Sequence, residues 1–528
     1  MKRTKSTFLL VGILLGALFF RFFKLSQWVH FGMDQEYQAF IVKNIVTGSH
    51  FPLIGVSVSD TGLYLGPLFS YFASIPFALT NGDPLGWAIV ASLIGVFVCG
   101  LIYFVGWRMI SKEVGLFAAL FYGMSFLVSF YDRQFWNPSI VPLISLLLGY
   151  HIFKLLKYQQ KSLLWIAILL GISTHFHFSL LLFIPLAFFA FVKARKHISK
   201  RLLIKSIVIL LLLQLPQIAF DLRHNFINTK ALFHTVAGKN QSVESTTITL
   251  RTRSFLSTLG RFIWVPAAPD LFIESGQCRN LSTFRKNAYP EGIAIMIAVI
   301  AILYIWIKQR NIKIISQKHK NFINTQAAKF VLTGVIFMTL VYVVFYHRQF
   351  FEYYFLYLFP WLAIIMGVST NYLWRDIHGR AIIFPMIFFF IAANFITIIT
   401  SYTNYSYTDK IKAIQFAKPY ISAHSYSLDA LGECGRWGGY RYLFDHFATT
   451  PSLSYMDTYF SWLYPKKNAI EKIDRLVVLS LIDHRDRQDM LTMWQQTKLQ
   501  YLSDYTIIDR KQFGNIDVII LSTRPLTI

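Results

Sequence analysis

Four short segments combine acids, bases and aromatics in ways that could support chemistry. Phe31-Gly-Met-Asp-Gln-Glu-Tyr37 sets Asp34 two residues from Glu36. In an extended loop both carboxylates face the same way, whereas on a helix they diverge by about 200°. Such a pair could bind a divalent cation (Mg, Mn or Zn), or leave Asp34 as a general base toward a hydroxyl. Tyr131-Asp-Arg-Gln-Phe-Trp-Asn-Pro138 places Asp132 beside Arg133, and Arg133 could grip a phosphate in bidentate fashion. Phe220-Asp-Leu-Arg-His-Asn225 and Tyr346-His-Arg-Gln-Phe-Phe-Glu-Tyr-Tyr354 add Arg223, His224, His347 and Arg348 as further phosphate-capable donors. Each segment also has an ordinary reading. Acids in polar loops are solvated, an Asp-Arg neighbour pair can be an interfacial ion pair, and Arg or His at a membrane surface can contact headgroups.

What positions these segments is a membrane. Of 528 residues 55% are hydrophobic and 17% aromatic, more apolar surface than one soluble core can hide. A formal charge of +25 would suggest nucleic acid in a soluble protein. Here Lys and Arg cluster in short loops beside apolar runs, so retention on the cytoplasmic side explains the charge and no nucleic-acid partner is expected. Three cysteines, Cys99, Cys278 and Cys434, have no metal-site spacing, and a Cys278–Cys434 bridge would need an oxidising compartment. The N-terminal apolar run lacks a small-residue cleavage site and is expected to stay as the first helix.

Basic clusters recur after Met1, near Arg108 and Lys112, at Lys154 to Lys161, Lys193 to Arg201, Lys308 to Lys320, and at Arg375 and Arg380. They share one face only if one early apolar run fails to cross. Tyr64 to Leu79 is that run. It spans roughly 24 Å of helix against about 30 Å of hydrocarbon, and it contains Gly66, Pro67 and Pro76, which interrupt helical hydrogen bonding. Ser162 to Val192 must then be a hairpin of two short helices turning near Thr174 to Phe178. Arg21 and Lys24 are exceptions to the charge rule, expected to snorkel.

The expected architecture is an α-helical polytopic membrane protein with about 11 transmembrane helices over 1–400 and outer loops at 25–84 and 221–289. Residues 401–528 form an extracytoplasmic α/β domain. The N-terminus is inside the cytoplasmic membrane, and the C-terminal domain and all four chemical segments are outside. In that domain Lys410 to Ile421 reads as a helix and Leu476 to Leu481 and Ile516 to Leu521 as strands. Cys434-Gly-Arg-Trp-Gly-Gly-Tyr440 is a glycine-rich turn suited either to a plain structural role or to stacking on carbohydrate. His175 and His177 point apart on a helix and have no third ligand nearby in sequence.

The order of these elements resembles membrane glycosyltransferases of the protein O-mannosyltransferase and aminoarabinose transferase type, of GT-C fold. The acidic pair, Gly66-Pro-Leu-Phe-Ser-Tyr71, the Tyr103 to Phe117 helix-turn-helix with Gly115, Tyr131 to Pro138, Phe220 to Asn225 and Tyr353 to Pro360 carry the resemblance. It implies an inverting transferase that moves a monosaccharide from a polyprenyl phosphate carrier to a lipid, glycan or protein acceptor on the outer face of the membrane. It further implies Asp34 as general base with Glu36 supporting it or sharing a metal, and Asp132 and Arg133 near the donor phosphate or acceptor. Arg223, His224, His347 and Arg348 would hold the departing phosphate. A lipid-linked glycan transporter, or a polymerase or ligase acting on a diphosphate-linked glycan, are the alternatives. No Gly-rich Lys-Ser/Thr phosphate loop is present, so a nucleotide sugar is not the expected donor.

Overall fold

The computed structural model describes residues 3–29, 31–58, 62–236, 247–265, 319–346, 351–375, 377–403, 405–464, 473–482 and 488–522. Helix α1 (Arg3–Phe22) leads through a short α2 (Leu25–Trp28) to α3 (Met33–Val46) and, after an irregular stretch, α4 (Leu68–Leu79). Tyr64 to Leu79 therefore yields only 12 helical residues, too few to cross a bilayer. Helix α5 (Pro84–Met109) is a full span. It begins with Pro84 in its first turn and Asp83 accepting from the Leu85 N–H at 2.8 Å, a combination that fixes its start.

The apolar run 114–131 breaks at Ser125 into α6 (Lys112–Met124) and α7 (Phe126–Tyr131). The break leaves backbone groups that nonpolar surroundings cannot satisfy. Asn394 supplies the partner, its Oδ1 accepting from Phe126 N–H at 2.8 Å while Ser125 Oγ donates to Phe262 O at 2.8 Å. Next come α8 (Val141–Leu156), α9 (Ser162–Phe176), α10 (Ile184–Ala194) and α11 (Lys200–Arg223). The expected hairpin forms: His177, with extended backbone, separates α9 from a 3-10 turn (Phe178–Phe183) leading into α10.

Residues 221–289, read as a polar outer loop, instead contain α12 (Ile227–Val236) and α13 (Ile248–Ile263). Helix α13 is amphipathic and inserts Phe255, Thr258, Arg261 and Phe262 among buried residues, so its arginines are not merely loop charge. Three further helices are α14 (His319–Phe345), α15 (Phe359–Trp374), preceded by a 3-10 turn (Glu352–Leu358), and α16 (Ile377–Thr400). Seven described helices or helix pairs are long and apolar enough to span a membrane, with shorter apolar helices at Ser6–Phe22, Leu68–Leu79 and Ser162–Phe176. The protein is a multi-pass membrane protein.

Close helix approach depends on small residues. A Cβ on Gly115 would lie 2.4 Å from Tyr103 O, and one on Gly367 of α15 would lie 2.6 Å from Val114 O, so α5, α6 and α15 touch backbone to backbone as membrane interfaces commonly do. Helix α11 lies at the periphery. Ile204, Ile207, Leu211, Leu212, Leu215 and Ile218 are exposed on it, a surface for lipid.

After α16 the chain folds into a five-stranded sheet in the order β2-β1-β3-β5-β4. Strands β1 (Tyr426–Leu431), β2 (Leu453–Ser454) and β3 (Arg475–Ser480) run parallel. Strands β5 (Ile516–Ser522) and β4 (Thr506–Phe513) add antiparallel. Side chains alternate across the sheet. Leu476, Val478, Ile519 and Leu521 pack with Trp494 of the helix Gln488–Asp504, whereas Val477, Leu479, Val518 and Ile520 join a core continuous with the membrane helices through α17 (Tyr407–Ile421). Charged Asp509, Arg510 and Lys511 occupy the edge strand β4, which discourages pairing with a further strand.

Candidate active site

Helix α3 starts at Met33, one residue before Asp34, because Gly32 forms its N-cap and the Gly32 N–H donates back to Gln35 Oε1 at 3.0 Å. The acidic pair is therefore helical, and helical geometry sends its members apart. Asp34 is exposed, and Glu36 is fully buried. The metal pair expected of Asp34 and Glu36 is thus not formed. Among the described residues no group of three or more His, Cys, Asp or Glu comes together to hold a metal, and we assign no step to one.

Asp34 sits in the first turn of α3, where the helix dipole favours a carboxylate. Its charge reaches the Tyr353 hydroxyl. Tyr353 belongs to an aromatic group: the Trp136 ring meets it edge-on at 4.6 Å, and the His177 ring lies 6.0 Å from it and 5.4 Å from Tyr354. Asp34 thus lies within electrostatic reach of a group drawn from the turns that follow α7, follow α9 and precede α15.

Asp132 and Arg133 are placed differently from expectation. Arg21, expected to snorkel, is completely buried and donates from Nε and Nη2 to Asp132 Oδ2 at 2.9 and 2.6 Å, with Nη1 3.1 Å from both Ala17 O and Gly123 O. Asp132 is neutralised in the fold. Arg133, also fully buried, donates to the Arg21, Phe20 and Phe23 carbonyls. These are the orphan acceptors at the C-terminal end of α1, which a cation suits. Both residues fasten α1 to α7, and Arg133 Nη1 is left buried without a hydrogen-bond partner among the described residues.

A second buried pair follows the same logic. Arg261 Nε of α13 lies 2.5 Å from Glu352 Oε1, whose other oxygen accepts from Tyr131 OH at 3.1 Å. Arg251 Nη1 of the same helix donates to Val344 O and Tyr346 O at 2.7 and 2.8 Å. Sequence reading quoted Tyr131 and Glu352 inside their motifs but assigned them no part. Arg261 carried no local signal beyond its place on an amphipathic helix.

Arg223 and His224 are exposed at the end of α11. The His224 ring stacks on Phe220 at 4.1 Å. Between them and α12, the buried Asp221 accepts from the Asn228 and Thr229 N–H groups at 2.8 and 3.0 Å. Asn228 in turn accepts from Tyr64 N–H at 2.6 Å, tying this corner to the stretch that leads into α4. His347 and Arg348 lie outside the described residues. His175 bonds to Leu213 O through Nε2 at 2.8 Å, while His177 pairs with Ser179, so the two do not converge.

The sheet domain grips α3 directly. Met33 N–H donates to Trp437 O at 3.0 Å, and Lys410 Nζ donates to Phe31 O and Gly438 O at 2.6 and 2.8 Å. Glu36 Oε1 accepts from Tyr442 N–H at 2.8 Å. Gly439 takes positive φ against Phe31, where a Cβ would lie 2.7 Å from the ring, so the glycine-rich turn fits only without side chains. Burial pushes the Glu36 carboxyl up to about 7, against the Tyr442 amide and the Arg441 and Lys410 charges. Burial likewise pushes Lys410 down to about 7, against Glu36. Cys434 at this turn is disulfide-bonded and Cys99 is free and buried; Cys278 lies outside the described residues.

Residues 65–220 match the family described as dolichyl-phosphate-mannose-protein mannosyltransferase. No curated protein matches the chain. The fold is similar to that of ArnT from Cupriavidus metallidurans bound to undecaprenyl phosphate, with TM-score 0.59 at 9% identity over 99% of both chains, and to its apo state at TM-score 0.58. It is also similar to the Archaeoglobus fulgidus oligosaccharyltransferase tethered with an acceptor peptide, with TM-score 0.50 at 11% identity over 100% of this chain and 75% of that one. The GT-C resemblance seen in the sequence holds at the level of the whole fold.

Proposed function

We propose that this protein is an inverting glycosyltransferase of the outer membrane face that takes a monosaccharide from a polyprenyl phosphate carrier. The observation that carries the reading is Asp34: an exposed carboxylate on a clamped helix start, facing an aromatic group, in a chain with the fold of ArnT. The family match over 65–220 and the undecaprenyl phosphate bound by ArnT support the carrier class.

In this reaction an acceptor hydroxyl attacks the anomeric carbon from the side opposite the phosphate. Asp34 takes the hydroxyl proton as the new C–O bond forms. The old anomeric C–O bond breaks and its electron pair leaves with the polyprenyl phosphate, whose negative charge needs cations nearby. Asp132 is paired with Arg21, so the candidates for that part are Arg133, whose Nη1 has no hydrogen-bond partner among the described residues, Arg223 and His224 at the end of α11, and His347 and Arg348 from the sequence. N-terminus inside and sheet domain outside follow from the distribution of Lys and Arg.

The test is transfer of labelled sugar from a panel of polyprenyl phosphate sugars to membrane lipids, glycans and proteins, comparing wild type with Asp34→Asn. Asp34 is exposed and Asn keeps its shape, so the variant should melt close to wild type while transfer falls about 100- to 10,000-fold. Full activity in Asp34→Asn would remove the proposal.

A further inference from the structure

Beside Asp34 the surface is built in a way that the transfer step alone does not need. Tyr37 is one helical turn beyond Asp34 on α3, the spacing that puts two side chains on one face. Its ring packs on Phe460 at 5.2 Å and meets Trp462 edge-on at 6.0 Å. Trp437, whose carbonyl receives the Met33 N–H, meets Tyr459 edge-on at 5.5 Å. One aromatic pair thus joins α3 at Met33 and the other at Tyr37, on either side of Asp34 in the chain.

The outer members of both pairs are exposed, Trp462 by 66% and Tyr459 by 44%. They are not on a loose segment. Phe460 and Leu463 turn inward and are buried. Asp457 accepts from Ser454 N–H and Oγ at 2.8 and 3.0 Å, and Leu463 O accepts from Asn44 Nδ2 at 2.9 Å. The stretch is pinned at both ends, so the two rings are held outward against the hydrophobic cost of leaving them wet.

We propose that Trp462 and Tyr459, supported by Tyr37 and Trp437, form an acceptor subsite for a sugar ring, so that the acceptor delivered to Asp34 is a glycan. The inference rests on the transferase reading for its link to Asp34, and on the rings alone for binding. A pyranose offers an apolar C–H face with hydroxyls at its rim. A fixed aromatic face beside carboxylates suits both parts, and rings locked by edge contacts lose little freedom on binding. A peptide adding a strand would need a longer free edge than β2 offers, since that edge strand has only Leu453 and Ser454. Lys466 and Lys467 follow Trp462 in the sequence, as they would in a membrane-anchoring belt; what favours a sugar is that the carboxylates Asp34 and Asp457 accompany the rings.

The experiment uses the full chain in lipid nanodiscs and soluble oligosaccharides of three to five residues, covering neutral hexoses, N-acetylhexosamines and deoxyhexoses, titrated against tryptophan fluorescence. At least one class should bind wild type, Trp462→Ala should weaken it at least tenfold, and Trp462→Phe should retain it. Asp34→Asn should bind as wild type while failing to transfer. If binding and its loss in Trp462→Ala appear but no transfer is found with any donor, the subsite stands and the transferase reading falls. No binding by any of the three classes would overturn the subsite, as would binding unchanged in Trp462→Ala. Quenching of Trp462 by brominated phosphatidylcholine in the nanodisc would overturn it too, in favour of membrane anchoring.

Discussion

Removing the Arg21 side chain tests whether Asp132 serves the fold or the reaction. Arg21→Met deletes two hydrogen bonds to Asp132 Oδ2, one to Gly123 O and one to Ala17 O. It leaves a buried carboxylate whose remaining described contacts are Tyr122 OH at 3.5 Å and the charge of Arg133. Breaking a buried pair from one side costs about 3–5 kcal/mol, because the surviving charge has lost its solvent and its partner, whereas replacing both members with apolar groups of similar size is close to neutral. Arg21→Met and Asp132→Asn alone should therefore lower the melting temperature in nanodiscs markedly, and the double variant Arg21→Met/Asp132→Leu should recover most of the loss together with transfer activity. Gly95 of α5 faces this pair closely, a Cβ there lying 2.4 Å from Asp132 Oδ2, so the replacements must match the removed groups in size, as Leu does for the forked Asp side chain. A double variant that melts like wild type yet transfers at least 100-fold more slowly would refute the reasoning and return Asp132 to the chemistry. Single variants that melt like wild type would show that the pair contributes nothing.

The contact between α3 and the sheet domain should depend on pH. Glu36 is raised from 4.5 to about 7, so the folded state holds its proton more tightly. Its contribution is full below the unfolded pKa and is lost as pH rises to about 7, a loss of roughly 3 kcal/mol. Lys410 is lowered from 10.5 to about 7, so the unfolded state binds the extra proton and stability recovers as pH rises above 7. Melting followed from pH 5 to 9 should pass through a minimum near neutrality, with Glu36→Gln removing the falling limb and Lys410→Met the rising one; a profile unchanged by both would refute this. Gly115→Val should destabilise the α5–α6 contact by about 1–3 kcal/mol, since its Cβ would meet the Tyr103 carbonyl at 2.4 Å, measured as lower melting temperature and yield. Wild-type behaviour would mean that these backbones separate without cost.

Long apolar runs made the spans legible, because the bilayer demands length and composition more than any particular residue. Pro and Gly showed that Tyr64 to Leu79 would fall short. The strands Arg475–Ser480 and Ile516–Ser522 were visible as buried apolar runs, whereas Tyr426–Leu431 contains Ser427 and Asp429 and Thr506–Phe513 is a charged edge, so neither displays the usual pattern. The site was legible in its parts and not in its pairings. Arg21 and Asp132 are 111 residues apart in the chain, and Arg261 and Glu352 are 91 apart. Nothing local distinguishes an arginine that snorkels from one that meets a distant carboxylate. For the acidic pair the needed signal was Gly32, which caps a helix one residue before Asp34 and so decides that the two carboxylates diverge.

That divergence divides the labour within one helical turn. Gln35 and Glu36 are buried and fixed, one folding back to Gly32 N–H and the other receiving Tyr442 N–H, so Asp34, immediately before them, inherits a defined position while staying exposed. The ties on its flanks come from a different part of the chain: Trp437 O holds Met33 N–H, and Lys410 holds Phe31 O. A general base must be held within a fraction of an ångström of its proton to be effective, and a helix start at the end of a loop would not achieve that alone. With Asp34 as the proposed base, the sheet domain is part of the scaffold that positions it. Its attachment to α3 explains why a buried Lys and a buried Glu, each costly in isolation, are retained where the membrane helices and the sheet meet.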